Sequence, residues 1–599
     1  MTAPKITVQE QNISQVVSSN VGVYGGIVIP APKGTINEPI LVTSDVELLN
    51  YFTPDNTVKV GYNMAFYSAL AYLSQSNKLW VVRSDNNSLY GGVVIRTSGN
   101  TNAQLTSVSL GAITSIDPTG TIVTVAGDVT ELVHESDVLN ISGSANNNGL
   151  YIISSTSFDS ANDDTHITLT YALPSLTVDG ILNINSLVNP EVYGFEANDL
   201  MLITGANQGA WGNDVEITLF TYANSPTVVK TPNAFVINVY KHSTGELLES
   251  LTCSRDVNAK DGYGNNIYVE DVVASSNYIN VIDNISLPST AVIQDQTVSH
   301  LQLAGAVDGS AVTDTNMVAS LQYLNNKNSI PLTVLMDGGW TTSAYQIALD
   351  SLCNTRKDCV SCLSVPYSAE ASNDYLNEIL TYRNTTLNLD SSYSALYSPH
   401  LEIQDTYNAR TIYVSPDGYA AAAISNTAAN YEIWYAPAGY TRGTLNVMDV
   451  LRRFSDGDMD ALYDAGINPI KFASGKGIAI WGQKTLSSVP SALDRLNVRL
   501  LLTTIEPAIA SFLEGYLFEF NDAYTRLLIA NGIDTYMGGI KAQNGVYDYT
   551  IVCDATNNTS TVIDNNQLVV WLYVQPIKVA EFISLTVIVT RTGVNVSLS

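Results

Sequence analysis

The pattern that most constrains this chain is an interruption in its own periodicity. Gly22-Val23-Tyr24-Gly25-Gly26-Ile27-Val28-Ile29-Pro30 is an apolar, Gly-rich run that reads as a buried strand. Ile40-Leu41-Val42-Thr43 follows a Pro-rich turn, and Ser44 can cap a short helix running to Asn50. Residues 64–73 carry Met64, Ala65, Leu70 and Leu73 on a helical repeat, and Leu79-Trp80-Val81-Val82-Arg83 is another strand. Strand, helix, strand is the order of an α/β layer. The order breaks off near 95 and returns only after 311, with strands at 332–336, 359–365 and 410–414 and helices at 374–384 and 448–463.

A layer that is left and rejoined has something inserted in one of its surface loops. Residues 95–190 supply it: short β-rich runs at 121–125, 150–153, 166–171 and 181–184 alternate with Gly, Asn, Asp and Ser clusters, without helical periodicity. They predict a small β-barrel or sandwich. Residues 191–310 mix strands at 215–220 and 235–240 with dense turns such as Asp261-Gly262-Tyr263-Gly264-Asn265-Asn266, and read as an α+β middle domain. Residues 471–599 hold helices at 497–512 and 521–531 and end in strands. The expectation is therefore an α+β multidomain chain. Its α/β core comes from 23–94 and 311–470, with an inserted β-rich domain at 95–190 and an α+β domain at 471–599. Residues 1–22 are too poor in apolar content to hold a fold alone and read as an arm.

Charge narrows the partners. The 599 residues carry a net charge of −29, which argues against nucleic acid and anionic membrane surfaces as partners. From Lys471 onward there are nine basic and ten acidic side chains, so that segment is at −1 and the first 470 residues hold −28. Such asymmetry suggests that the last segment meets a different surface from the rest. Five scattered cysteines in so long a chain do not make a disulfide framework and fit folding in a reducing compartment. No signal peptide is visible at 1–10, and the apolar stretch 568–590 is broken by Gln575, Pro576, Lys578 and Glu581, so it reads as strands rather than a membrane span.

Catalytic signals are weak. His134, His166, His242, His300 and His400 are scattered. Cys359-Val360-Ser361-Cys362 has zinc or redox spacing, but no second ligand pair accompanies it and it falls in an apolar strand, so it reads as core. Asp456-Gly457-Asp458-Met459-Asp460 begins like a calcium loop, yet has Ala461 and Ile467 where Gly and a bidentate Glu are needed. Phe472-Ala473-Ser474-Gly475-Lys476-Gly477 has the wrong spacing for a phosphate cradle. The expectation is a non-enzyme without cofactor or metal.

Several blocks resemble the tail sheath proteins of contractile-tailed bacteriophages. They are Gly22 to Val28 leading to Pro32-Lys33-Gly34, Asn37-Glu38-Pro39 and Leu79 to Arg83; Gly209-Ala210-Trp211-Gly212-Asn213-Asp214-Val215; and Trp434-Tyr435-Ala436-Pro437-Ala438-Gly439. The more specific ones follow: Gly466-Ile467-Asn468-Pro469-Ile470 running into Gly477 to Leu486, then Asn497-Val498-Arg499-Leu500 with Phe518-Glu519-Phe520-Asn521-Asp522, then Val574-Gln575-Pro576-Ile577-Lys578-Val579-Ala580-Glu581-Phe582-Ile583. His400 stands where the family would have Trp, and Val579 where a second Pro is common.

The resemblance implies a structural subunit that polymerises as stacked hexameric rings around a tail tube. The rings would contract to drive the tube through the host envelope for genome ejection. It further implies an inner, tube-facing domain built from the N-terminal arm and residues 471–599, with the inserted domain outermost. The implied partners are further copies of the chain, the tail tube protein, and baseplate and tail terminator proteins. The implied location is the virion tail, assembled in the host bacterial cytoplasm. The sheath of a non-viral contractile injection system (R-type pyocin or type VI secretion-like) and another phage structural protein are the alternatives. Alternation at Ile6 and Val8, at Val587 and Val589 and at Val594 and Val596 suits strands exchanged between subunits. Lys471, Lys476, Lys484, Arg495 and Arg499 cluster in sequence as candidates to face the tube.

Overall fold

The computed structural model describes residues 22–582 and 584, apart from 106–107, 131–132, 134–137, 185–188, 196, 223–224, 226–228 and 230–233. The expected exchange residues Ile6, Val8, Val587, Val589, Val594 and Val596 lie outside the described residues.

The interrupted α/β layer is one nine-stranded sheet. Its order is Pro39–Val42, Leu79–Ser84, Gly25–Pro30, Val334–Met336, Val360–Ser364, Ser394–Ser398, Ile467–Ala473, Gly477–Ile480 and Thr444–Leu445. Gly25–Pro30 lies between Leu79–Ser84 and Val334–Met336, parallel to both, so chain on the two sides of the interruption pairs directly. Parallel strands need cover on both faces, and this is why they read as unbroken apolar runs. Helices Ala65–Leu73 and Asp417–Asn430 bury Phe66, Ala69, Ala420, Ala421 and Ile424 on one face. Helices Asp314–Leu321 and Ser343–Arg356 bury Met317, Leu321, Tyr345 and Leu349 on the other. Ser44 caps Asp45–Phe52, its hydroxyl accepting from Glu47 N at 3.2 Å. Cys359 and Cys362 are fully buried in the sheet core.

The inserted segment forms a closed six-stranded barrel from Val108–Ile116, Ile122–Ala126, Val138–Ser142, Gly149–Asp159, Asp164–Leu169 and Ile181–Ile184. Among the described residues, its core, including Val123, Val125, Leu139, Ile141, Ile153, Ile167 and Leu182, draws on the barrel and its connecting turns. Between barrel and α/β layer sit two four-stranded antiparallel sheets. They share a core with Val93, Ile95 and Ile203 from one and Ile217, Leu219 and Ile237 from the other.

Three expected boundaries need correction. Gly92–Arg96 pairs with Asp199–Gly205, so the α/β segment ends before 94 and the inserted barrel begins later than 95. The middle region is a β-sandwich rather than α+β: among its described residues the one α-helix is Val269–Val273, with short 3-10 turns at Pro190–Val192 and Ala210–Asp214. A boundary at 470 cuts the strand Ile467–Ala473, which pairs with Ser394–Ser398 and with Gly477–Ile480; sheet pairing, not the change in charge, sets that limit. The segment 448–463 is helical only over Asp456–Asp464, because Asp449–Val450 is spent as a strand beside Leu401–Asp405. Ser455 and Asp458 form the capping box of that helix, so the calcium-like spacing of the aspartates is the first turn of a helix.

Candidate assembly site

The C-terminal domain is built on two long helices. Leu496–Glu514 buries Leu496, Leu500, Leu501, Ile505 and Phe512; Ala523–Ala542 buries Ile529, Ile533, Met537 and Ile540 at helical spacing. By length and composition Leu496–Glu514 could cross a bilayer, but its apolar side packs into the core of the α/β layer at one end and of this domain at the other. The expected helix at 521–531 runs on to Ala542.

Against Ala523–Ala542 lies a hairpin of Val546–Val552 and Trp571–Pro576. Tyr549, Ile551, Leu572 and Val574 turn towards the helices. The other face presents Asp548, Thr550, Trp571, Tyr573 and Gln575 to solvent, with Tyr573 58% exposed. Among the described residues the two strands pair only with each other. Both outer edges therefore carry backbone donors and acceptors without a strand partner, and an isolated two-stranded sheet is marginal in water. This is the geometry that strand addition completes.

The five candidate cations do not form one row. Lys476 is exposed, 5.3 Å from the Tyr440 ring centroid. Lys471 is half-buried between Asp456 at 3.5 Å and the Trp481 ring. Lys484 turns inward and donates to Tyr463 O at 2.7 Å. Arg495 donates through Nε to Glu581 Oε1 at 2.7 Å and pairs with Asp494 at 3.0 Å. Arg499 is buried, donates to Ser392 Oγ and stacks 4.1 Å over Tyr393. A tube-facing role for Arg499 is corrected on that ground: its helix face is spent on the α/β layer.

The resemblance blocks converge at two joints that sequence reasoning did not foresee. At the first, Arg83, 1% exposed, donates through Nη1 to Gly34 O at 2.6 Å and to Gln208 O at 2.8 Å. Asn207 Oδ1 accepts from Gly34 N at 3.0 Å, and Lys33 Nζ lies 5.0 Å from the Trp211 ring. Gly209 has φ 128°, and a Cβ there would meet Pro32 O at 2.3 Å, so the Trp-Gly-Asn turn can sit this close only with glycine. At the second, Trp434 Nε1 donates to Gln543 O at 3.2 Å and Asn497 Nδ2 to Trp434 O at 3.3 Å, tying the α/β layer to the C-terminal helices.

None of the four described histidines is isolated; His166 lies 3.2 Å from Asp164. His242 and His300 both bond the carboxylate of Glu216, and these bonds hold it below its ordinary pKa although burial works the other way. His400, where the family would have Trp, is buried against Glu370 at 2.8 Å. Asp159, Asp164 and His166 are close enough together to share an ion, but both Asp159 oxygens already accept, from Ala161 N and Asn162 Nδ2.

An open-edged C-terminal hairpin beside a doubly covered α/β sheet, interrupted by β domains, defines the multidomain architecture of the chain. The sheath tail protein of Listeria innocua has this fold: TM-score 0.50 over 93% of this chain and 96% of that one, at 9% identity. Residues 341–486 match the phage tail sheath protein central domain and residues 488–590 the phage tail sheath C-terminal domain. The tail sheath protein of Enterobacteria phage T4 is 30% identical over 385 residues, covering 61% of this chain and 57% of that protein. That of Vibrio phage KVP40 is 30% identical over 373 residues, covering 58% and 54%. Residues 341–486 and 488–590 are thus similar to two domains of phage tail sheath proteins, and the resemblance to the tail sheath proteins of contractile-tailed phages is supported. It spans little more than half the length of these relatives.

Proposed function

We propose that this chain is the structural subunit of a contractile phage tail sheath. It polymerises as stacked hexameric rings around a tail tube, with baseplate and terminator proteins at the ends, and contracts to drive the tube through the host envelope for genome ejection. It acts in the virion tail, after assembly in the host bacterial cytoplasm. Stacked rings that turn relative to one another are an open, heterologous assembly. Subunits that rotate as rigid bodies stay joined if the joint is main-chain pairing on a short tether, because such pairing is indifferent to side-chain detail.

The observation that carries this reading is the hairpin of Val546–Val552 and Trp571–Pro576, whose outer edges have no partner strand among the described residues. Residues 1–18 and 585–599, with Ile6, Val8, Val587, Val589, Val594 and Val596, are the strands we assign to those edges on neighbouring subunits. Lys471 and Lys476 are the cations we assign to the tube. Deleting 585–599 should leave a soluble, folded monomer that no longer forms long hollow tubes by negative-stain microscopy. Normal tubes from that truncation reject strand exchange.

A further inference from the structure

Among the described residues after the hairpin, Glu581 is the one whose side chain hydrogen-bonds into the rest of the chain. Lys578, Val579, Ala580 and Phe582 are all exposed. Between them Glu581 turns in, to a receptor where the rim of the α/β layer meets the start of the helix Leu496–Glu514. Its Oε2 accepts from Tyr463 Oη at 2.9 Å; its Oε1 accepts from Gln483 Nε2 at 3.0 Å and Arg495 Nε at 2.7 Å. Tyr463 lies in the helix Asp456–Asp464, Gln483 follows the strand Gly477–Ile480, and Arg495 opens the helix Leu496–Glu514.

The receptor is held in place by its own bonds. Lys484 and Arg495 form an isolated antiparallel bridge. Asn468 Oδ1 accepts from Lys484 N at 2.6 Å and its Nδ2 donates to Lys484 O at 2.8 Å. Lys484 Nζ donates to Tyr463 O at 2.7 Å, and Leu496 N donates to Gln483 O at 2.8 Å. These bonds fix the backbone from which three donors reach one carboxylate, which makes a socket for it. Glu581 is half-buried there; burial works against its ionisation, but the bonds from Arg495, Gln483 and Tyr463 outweigh it and hold its pKa below the usual value.

We propose that Glu581 is the positioning residue of the C-terminal arm: it pins the chain to the α/β rim, so that the arm departs from a fixed point. This rests on the strand-exchange reading. With Glu581 seated, the tether before residue 585 is the three residues 582–584; released, it is the eight residues 577–584. At ~3.3 Å per residue the reach grows from ~10 to ~26 Å. The effective concentration of a tethered strand falls roughly as the −3/2 power of tether length, so each arm becomes about fourfold less available to its one correct edge.

The test compares Glu581→Ala, Arg495→Ala, the deletion of 585–599 and the Glu581→Ala deletion double variant, each as otherwise full-length chain. The readouts are the critical concentration for tube formation, the melting temperature and trypsin cleavage at Lys578. Glu581→Ala and Arg495→Ala should each raise the critical concentration about fourfold and speed cleavage at Lys578, with the melting temperature of the monomer little changed. In the double variant Glu581→Ala should add nothing to the deletion, because no arm remains to be positioned. An unchanged critical concentration in Glu581→Ala, while the deletion abolishes tubes, overturns this inference and leaves strand exchange standing. An effect of Glu581→Ala on the melting temperature that persists in the double variant overturns it too, in favour of a merely structural bond. Tubes from the deletion alone overturn strand exchange itself.

Discussion

Lys33 carries a charge into a place that resists it. Its side chain is 3% exposed, with Nζ donating to Asn50 O at 3.2 Å and lying 5.0 and 5.1 Å from the Trp211 and Tyr278 rings. Burial lowers its pKa from 10.5 to about 8, against the pull of Glu249 and Asp55. Between these two values the unfolded chain binds more protons than the folded one, so this site's contribution to stability rises with pH across that window. The stability of the native protein relative to Lys33→Met should therefore climb between about pH 8 and 10, by up to the order of 3 kcal/mol. Parallel denaturation curves for the two proteins across that range would refute the assignment. The motif Pro32-Lys33-Gly34 is plain in the sequence, but its setting is not, because Trp211 and Tyr278 reach it from a different domain. The same limit explains Arg499. Five cations within 29 residues look like one patch, yet a strand, a turn and a helix start lie between Lys471 and Arg499 and send their side chains to separate partners.

At the scale of elements, two glycines sit where a helix meets its neighbour most closely. In Asp417–Asn430, a Cβ on Gly418 would meet the backbone O of Ser68 at 2.3 Å, where Ala65–Leu73 crosses. The crossing is further pinned by Ser68 Oγ donating to Asp417 Oδ1 at 2.8 Å and Gly338 N to Asp417 Oδ2 at 2.7 Å. In Ala523–Ala542, a Cβ on Gly532 would meet the Phe512 ring at 2.2 Å. A ring can turn aside and a backbone carbonyl cannot. Gly418→Ala should thus cost about 3 kcal/mol or more, and Gly532→Ala about 1 kcal/mol, on denaturant unfolding of each variant. Equal costs would show that the Ser68 turn yields as readily as the ring. Gly532 also shows why one element was only half legible: Asn531-Gly532 has the composition of a helix stop, so the pattern ends the helix at 531, whereas the glycine marks close approach in mid-helix. Strands fared better. Ile181–Ile184 and Arg410–Val414 are where their β-rich runs put them, since short apolar runs between turn residues leave little choice.

At the scale of the whole molecule, the interruption that opened the sequence is a separable body. The barrel's first and last strands are neighbours: Val108 pairs with Ile184 and Ser109 with Asn183. Paired antiparallel residues sit about 5 Å apart, so the chain leaves the middle sandwich and returns to it through one narrow neck. Among the described residues, the barrel's apolar core contains none from the sandwich or the α/β layer. The sandwich in turn fills its core with Val93, Leu200, Ile217, Phe235 and Ile279, none from the barrel. Two cores that share no side chain unfold as two units. Replacing residues 107–187 with a short Gly/Ser bridge should therefore give a soluble chain whose thermal unfolding keeps the transition of the α/β layer within a few degrees. It should still form tubes, of smaller outer diameter, if the sheath is joined through its C-terminal domain and the barrel lies outermost. A large fall in that transition would mean that the neck transmits stability. Intact folding with no tubes would move part of the inter-subunit joint from the hairpin edges to the barrel.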